Sequence, residues 1–311
     1  MLSRTAAALY WLGRYVERAE FTARLVEATV RLDAMSSRPA GEAAWESALS
    51  VIEANKAFKA TGEKLTPRNV ARFLTLSTSH RGSVVACLDH ARDNAKAVRT
   101  SLTSEAWQTM NRAWLLFQNR TSPGDTQATL SLVNEAQAET RGFEGAIGRM
   151  MRNPSSWFIR LGATVERADN TARLLDVKYH ILLPEGEKVG GAMDRDQWTT
   201  ILQTVSAVNA YRWLYREGLK PYLVTELLIL RRELPRSLAA SAEEVVLHLN
   251  ALGKQTGFQG EADRMARLRH ARLGETKIAD VTKRGLHQYL DEFLAENAAI
   301  NGAIARQFQF I

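Results

Sequence analysis

Two segments of the chain carry a carboxylate followed at once by a guanidinium, in matching surroundings. Residues 12–27 read LGRYVERAEFTARLVE and residues 161–176 read LGATVERADNTARLLD, with ten of the sixteen positions identical and no gap. Glu17, Arg18 and Arg24 of the first copy correspond to Glu166, Arg167 and Arg173 of the second. Groups of this kind can form structural ion pairs, hold a charged ligand or peptide, or exchange a proton as acid and base. On a helix, adjacent residues point about 100° apart, so Glu17 and Arg18 should not satisfy each other. Glu20 with Arg24, and Asp169 with Arg173, stand one turn apart and form favourable pairs of about 0.3 kcal/mol.

On a helical wheel Gly13, Glu20, Phe21 and Arg24 fall on the side of Glu17, while Val16, Ala19, Ala23 and Val26 lie opposite. One such copy alone reads as a solvated polar face. Both copies, however, keep a glycine beside the glutamate, and a glycine inside a helix costs about 1 kcal/mol relative to alanine. That predicts close approach by another helix across the polar face, where buried charges must find partners. The economical arrangement is reciprocal, with Glu17 against Arg167 and Glu166 against Arg18. A pocket for a charged ligand is the second reading, and catalysis the third. The copies differ where Arg14 and Tyr15 give way to Ala163 and Thr164, so the two halves need not bind alike.

Other chemistry is scarce. None of the six histidines follows a glutamate by three residues, so the paired Glu-x-x-His of a di-iron bundle is missing. Asp176 with His180, and Glu244 with His248, are spaced for local hydrogen bonds, and no metal is expected. Gly253-Lys254-Gln255 lacks the rest of a phosphate loop, and no G-x-S-x-G or S-x-x-K occurs. No cofactor and no catalytic residue is expected. Cys87, the only cysteine, reads as a small buried apolar residue. Gly142, Gly145 and Gly148 read as a close helix contact. Arg264, Arg267, Arg269 and Arg272 follow one another without an intervening acid, and suggest a surface for an anionic partner or nucleic acid, against the plainer reading of a solvated helix.

Helical periodicity dominates what must position these groups. It predicts helices over roughly 41–60, 67–78, 82–102, 104–118, 126–152, 155–182, 196–217, 221–232, 236–252, 259–272 and 276–308, besides the first motif helix, and no sheet. Thr66-Pro67 fits a cap followed by a first-turn proline, and 184–194 reads as the clearest loop. The expected fold is a single all-α domain over 1–311, a helical bundle whose internal repeat (1–152 and 153–311) forms two pseudo-twofold-related halves. The 311 residues include 45% hydrophobic side chains, ample for a core. The net charge of +7 favours acidic partners. The apolar start is interrupted by Arg14, Glu17 and Arg18, and no run suits a membrane span, so the cytoplasm is the expected compartment.

The paired segments YWLGRYVERAEFTARL and IRLGATVERADNTARLLDVKYH resemble the alpha-E family, all-helical bacterial proteins named for a Glu-Arg motif. The similarity extends to Phe73-Leu74 and Pro235-Arg236-Ser237. The resemblance implies an operon shared with a circularly permuted ATP-grasp ligase and a transglutaminase-like peptidase, sometimes with a proteasome-like peptidase. The role it implies is an accessory in forming or trimming amide-linked peptides. The expected function is therefore a noncatalytic scaffold that docks the ligase and is able to position its peptide substrate. The alternatives are an enzyme working through the paired Glu/Arg groups on a peptide-like substrate, or a nucleic-acid-binding helical module. No membrane partner is expected.

Overall fold

A computed structural model of the chain describes residues 1–35, 38–118, 120–180 and 191–310. They form fifteen α-helices and one short 3-10 turn, with no strand. The first half contains α1 (Ser3–Met35), α2 (Arg38–Val51), α3 (Asn55–Lys59), α4 (Pro67–Leu76), α5 (Val84–Ala97), α6 (Ser104–Leu115) and α7 (Thr126–Gly148). The second contains α8 (Pro154–His180), α9 (Ala192–Thr204), α10 (Val208–Tyr215), α11 (Pro221–Leu230), α12 (Leu238–Thr256), α13 (Glu261–Glu275), α14 (Ile278–Arg284) and α15 (Leu286–Gln307). The fold is all-α, as the periodicity predicts. Most of the loop expected at 184–194 lies outside the described residues.

Three expected helices are broken in two. The stretch 41–60 divides at Glu53, 196–217 at Ser206 and 276–308 at Gly285, whose φ angles are +54°, +56° and +96°. A residue in that region turns the chain out of the right-handed helix, and only the last of the three is a glycine. Starts are marked better. Thr66 accepts the amide of Asn69 ahead of Pro67, Ser83 that of Ala86, and Ser237 that of Ala240.

Helices α1 and α8, which carry the two motif copies, pack along each other. Their contacts advance in the same direction, from Gly13 against Ile159 to Glu17 against Arg167, so they run parallel. Helices α5, α7, α2, α9 and α4 cover the rest of α1, and α12, α15, α2 and α9 the rest of α8. The solvated-face reading of one copy is thereby corrected: the polar side of α1 is buried as well as the apolar side, with Glu17 and Glu20 at 4% and 3% exposure. Ala19, Ala23 and Ala28 let neighbours approach one side, and paired charges fill the other.

Several contacts of the two copies match. The Thr22 hydroxyl donates to the Gly82 carbonyl and that of Thr171 to the Arg236 carbonyl, each just before a capping serine. Arg24 donates to the hydroxyl of Ser206 and Arg173 to the carboxylate of Glu53, the two left-handed residues at the helix breaks. Trp45 on α2 and Trp198 on α9 are both buried. Among the described residues no helix is long and apolar enough to cross a membrane.

Candidate functional site

The motif glutamates sit between α1 and α8, each gripped by two guanidiniums. Glu17 accepts from Arg167 at 2.8 Å and from Arg236 at 2.5 Å. Glu166 accepts from Arg18 at 2.5 and 2.9 Å and from Arg14 at 2.6 Å. The structure thus places Arg167 on Glu17 and Arg18 on Glu166, across the helix pair. The local pairs are present too, Arg24 to Glu20 and Arg173 to Asp169, both at 2.7 Å.

Sequence reasoning missed the second guanidinium of each pair. Arg14 comes from α1 itself, one turn before Arg18. Arg236 precedes the cap of α12, where the Thr171 hydroxyl holds its carbonyl. Arg14 was visible as a departure between the copies, whereas Arg236 stood out only within the segment Pro235-Arg236-Ser237, with nothing local to tie it to Glu17.

Burial opposes charge on these carboxylates, yet Arg167 and Arg236 outweigh it and bring Glu17 from its ordinary 4.5 down to about 2. Glu166 is lowered for the same reason, burial being overcome by Arg14 and Arg18. Arg167 is pushed further up despite its burial, chiefly by Glu17. Both glutamates are therefore held ionised.

The copies diverge in what they enclose. Arg14 and Tyr15 fill the first, with Arg14 donating to Asn301 at 2.7 Å and Tyr15 lying 5.0 Å from the His90 ring. In the second, Ala163 and Thr164 leave a cavity of about 170 Å³ walled by α1, α7, α8 and α12. Glu17, Glu20, Glu144, Arg167, Glu244 and His248 line it. Arg167 spans the wall, reaching Glu144 at 3.1 Å and approaching Glu244 at 3.8 Å.

His248 does not bond Glu244 as expected: Glu244 turns to the Thr164 hydroxyl at 2.9 Å, and His248 makes no hydrogen bond with the described residues. Burial, then Arg160 and Arg167, lower His248 from 6.5 to about 4, so it is neutral.

Other expectations need correction. Arg269 is not part of a surface: it is 2% exposed, donates to Asn297 at 2.7 Å and lies over Phe293. It falls in the helical stripe Ala262, Ala266, Arg269, Leu273, which is the buried face of α13. Arg264, Arg267 and Arg272 are exposed, but Arg267 donates to Gln259 and Arg272 is paired with Glu296. Gly142 makes a close contact with Thr109, whereas Gly145 and Gly148 face open space.

The His180 side chain lies outside the described residues. Asp176 meets His287 Nδ1 at 2.6 Å, and Asp291 stands 3.3 Å from Nε2. The two carboxylates thus face opposite nitrogens of one ring, and the hydrogen bond with Asp176 raises the His287 pKa above its ordinary value. Cys87 is buried, which pushes its thiol up to about 12 and leaves it unreactive.

The lowered pKa values of Glu17, Glu166 and His248 have the same consequence in acid. The unfolded chain takes up protons that the folded chain refuses, so stability falls as pH falls. The His248 share is fully present above 6.5 and is lost down to about 4; that of Glu17 is lost from 4.5 to about 2. His248→Gln should flatten the upper window of a denaturant-derived stability profile and leave the lower one. An identical profile in the variant would mean that His248 titrates normally.

An all-α protein whose two central helices exchange Glu-Arg pairs is the class that this site defines. The chain belongs to the Alpha-E family, whose model matches residues 1–309 and is described as a predicted alpha-helical domain with a conserved ER motif. It is also similar to proteins of Mycobacterium bovis and Mycobacterium tuberculosis whose names say only that they are uncharacterized. In each, the match is 24% identical over 314 residues, covering 94% of this chain and 35% of the relative. The chain therefore spans about a third of those relatives' length. No solved structure matches it.

Proposed function

We propose that the chain is a noncatalytic accessory protein that docks a circularly permuted ATP-grasp amide ligase and helps to position its peptide substrate, in the cytoplasm and with a transglutaminase-like peptidase as a further partner. One observation carries the noncatalytic part: Glu17 and Glu166 are buried, and each is clamped by two guanidiniums. A general base needs an accessible carboxylate with a pKa near the working pH, and these have neither. The pairs instead fasten α1 to α8. The ligase comes from the family resemblance. The relatives support a module that works beside other polypeptide, since a segment like this chain occupies only 35% of their length. The nucleic-acid reading is less favoured, because the row of arginines is interrupted where Arg269 turns inward.

Tagged protein should retain the ATP-grasp ligase encoded beside it through gel filtration, while the isolated chain should turn over neither ATP nor model esters, with or without divalent metal. Failure to co-migrate with the ligase would remove the docking role. Turnover that follows the protein peak and vanishes in Glu17→Gln would replace it with the enzyme reading.

A further inference from the structure

The cavity beside the second motif copy has a chemistry that the Glu-Arg clamps do not use up. Glu20 is 3% exposed and lines it, yet only Oε1 is engaged, by Arg24 at 2.7 Å and Arg236 at 3.2 Å. Its Oε2 accepts no hydrogen bond from the described residues. On the same wall, Arg167 commits Nε and Nη2 to Glu17 and Glu144, while Nη1 has only the distant Glu244 oxygen. A neutral His248, itself without a hydrogen bond, lies on the α12 side.

A free acceptor and a free donor of opposite charge, each on a largely buried side chain, thus open onto one small space, where an occupant able to pair with both would satisfy them. Val16, Phe143, Ile147 and Ile159 supply an apolar remainder. The mouth is marked by Leu247, 61% exposed, and by the half-open Glu144 side chain.

The charges also balance. The carboxylates of Glu17, Glu20, Glu144 and Glu244 face the guanidiniums of Arg160 and Arg167 on the wall, with Arg24 and Arg236 directly behind. An occupant of either net charge would upset this balance, whereas one carrying both signs would not. Size sets a further limit, since an apolar cavity of about 150 Å³ holds a benzene ring. We propose that this cavity binds a small apolar α-amino acid as its zwitterion, the ammonium at Glu20, the carboxylate at Arg167 and the side chain against Phe143 and Ile147.

The same space in the first copy is filled by Arg14, so the repeat itself supplies a plug. Ala163→Arg puts an arginine at the matching position, within reach of Glu17 as Arg14 is of Glu166. The inference stands on the cavity and not on ligase docking, and it is tested on the isolated chain.

Calorimetric titration with alanine, valine, leucine and phenylalanine should show at least one of them binding at one site per chain. The N-acetyl and the carboxamide derivatives of that amino acid, each lacking one charge, should bind at least tenfold more weakly. Ala163→Arg should keep its helical content and lose the binding. Should that variant fail to fold, Leu247→Trp at the mouth serves instead and should weaken binding at least tenfold. No binding by any of the four, equal binding of either derivative, or unchanged binding in the folded plug variant would overturn the proposal.

Discussion

Gly13→Ala and Gly162→Ala are each expected to destabilise the protein by about 3 kcal/mol, although alanine in a helix interior ordinarily gains about 1 kcal/mol over glycine. A Cβ on Gly13 would stand 1.9 Å from the Ile159 carbonyl oxygen and 2.8 Å from its carbon; on Gly162 it would stand 2.0 Å from the Tyr10 oxygen. These neighbours are backbone atoms within the facing helix and cannot swing aside. The helices must separate, and separation also stretches the ion pairs a turn further on. Because both substitutions push apart the same contact, the double variant should cost less than the sum of the singles. Chemical denaturation measures all three; a single variant as stable as the parent would show that α1 and α8 do not touch as closely as described.

Glu166→Ala should be more damaging than Glu17→Ala, despite their equivalent places in the repeat. Removing one partner of a buried pair typically costs about 3–5 kcal/mol, because a charge is left without compensation. The two sites differ in what remains. Without Glu17, Arg167 keeps Glu144 at 3.1 Å and Arg236 keeps Glu20 at 3.2 Å. Without Glu166, Arg14 keeps the Asn301 amide oxygen and the Trp11 ring, and Arg18 the Tyr15 ring, but neither keeps a carboxylate.

Glu166→Ala belongs at the upper end of that range and Glu17→Ala at the lower. In the cycle Glu17→Ala with Arg167→Ala, the double variant should again lose much less than the summed singles. Small single effects with no coupling would place the motif in solvent, and its glutamates and arginines would then become the first candidates for a partner-binding surface.

How far the sequence led varies with the kind of signal. The cross-helix pairing was legible because a glycine kept next to a charge in both copies has few other physical explanations. The helix breaks at Glu53 and Ser206 were not, since neither residue favours a left-handed conformation; a guanidinium from the opposite motif helix meets each of them. The inward turn of Arg269 was written in the spacing of Ala262, Ala266 and Leu273, but a run of arginines masked it. The cavity was foreshadowed only by the exchange of Arg14 and Tyr15 for Ala163 and Thr164. Its lining from α7 and α12 depends on packing that no local pattern encodes. Arg236 is the extreme case, a ligand of Glu17 from 219 residues away.

That separation bears on the order in which the protein is made. During synthesis from the N terminus, α1 is complete long before either guanidinium that will neutralise Glu17 exists. Until residue 167 has emerged, burying the motif side of α1 would strand a carboxylate, and until residue 236 has emerged the clamp stays half closed. The first 152 residues, although they form one copy of the repeat, are therefore not a unit that the ribosome can release into a finished state. The helix at the centre of the fold must wait in water for the second copy.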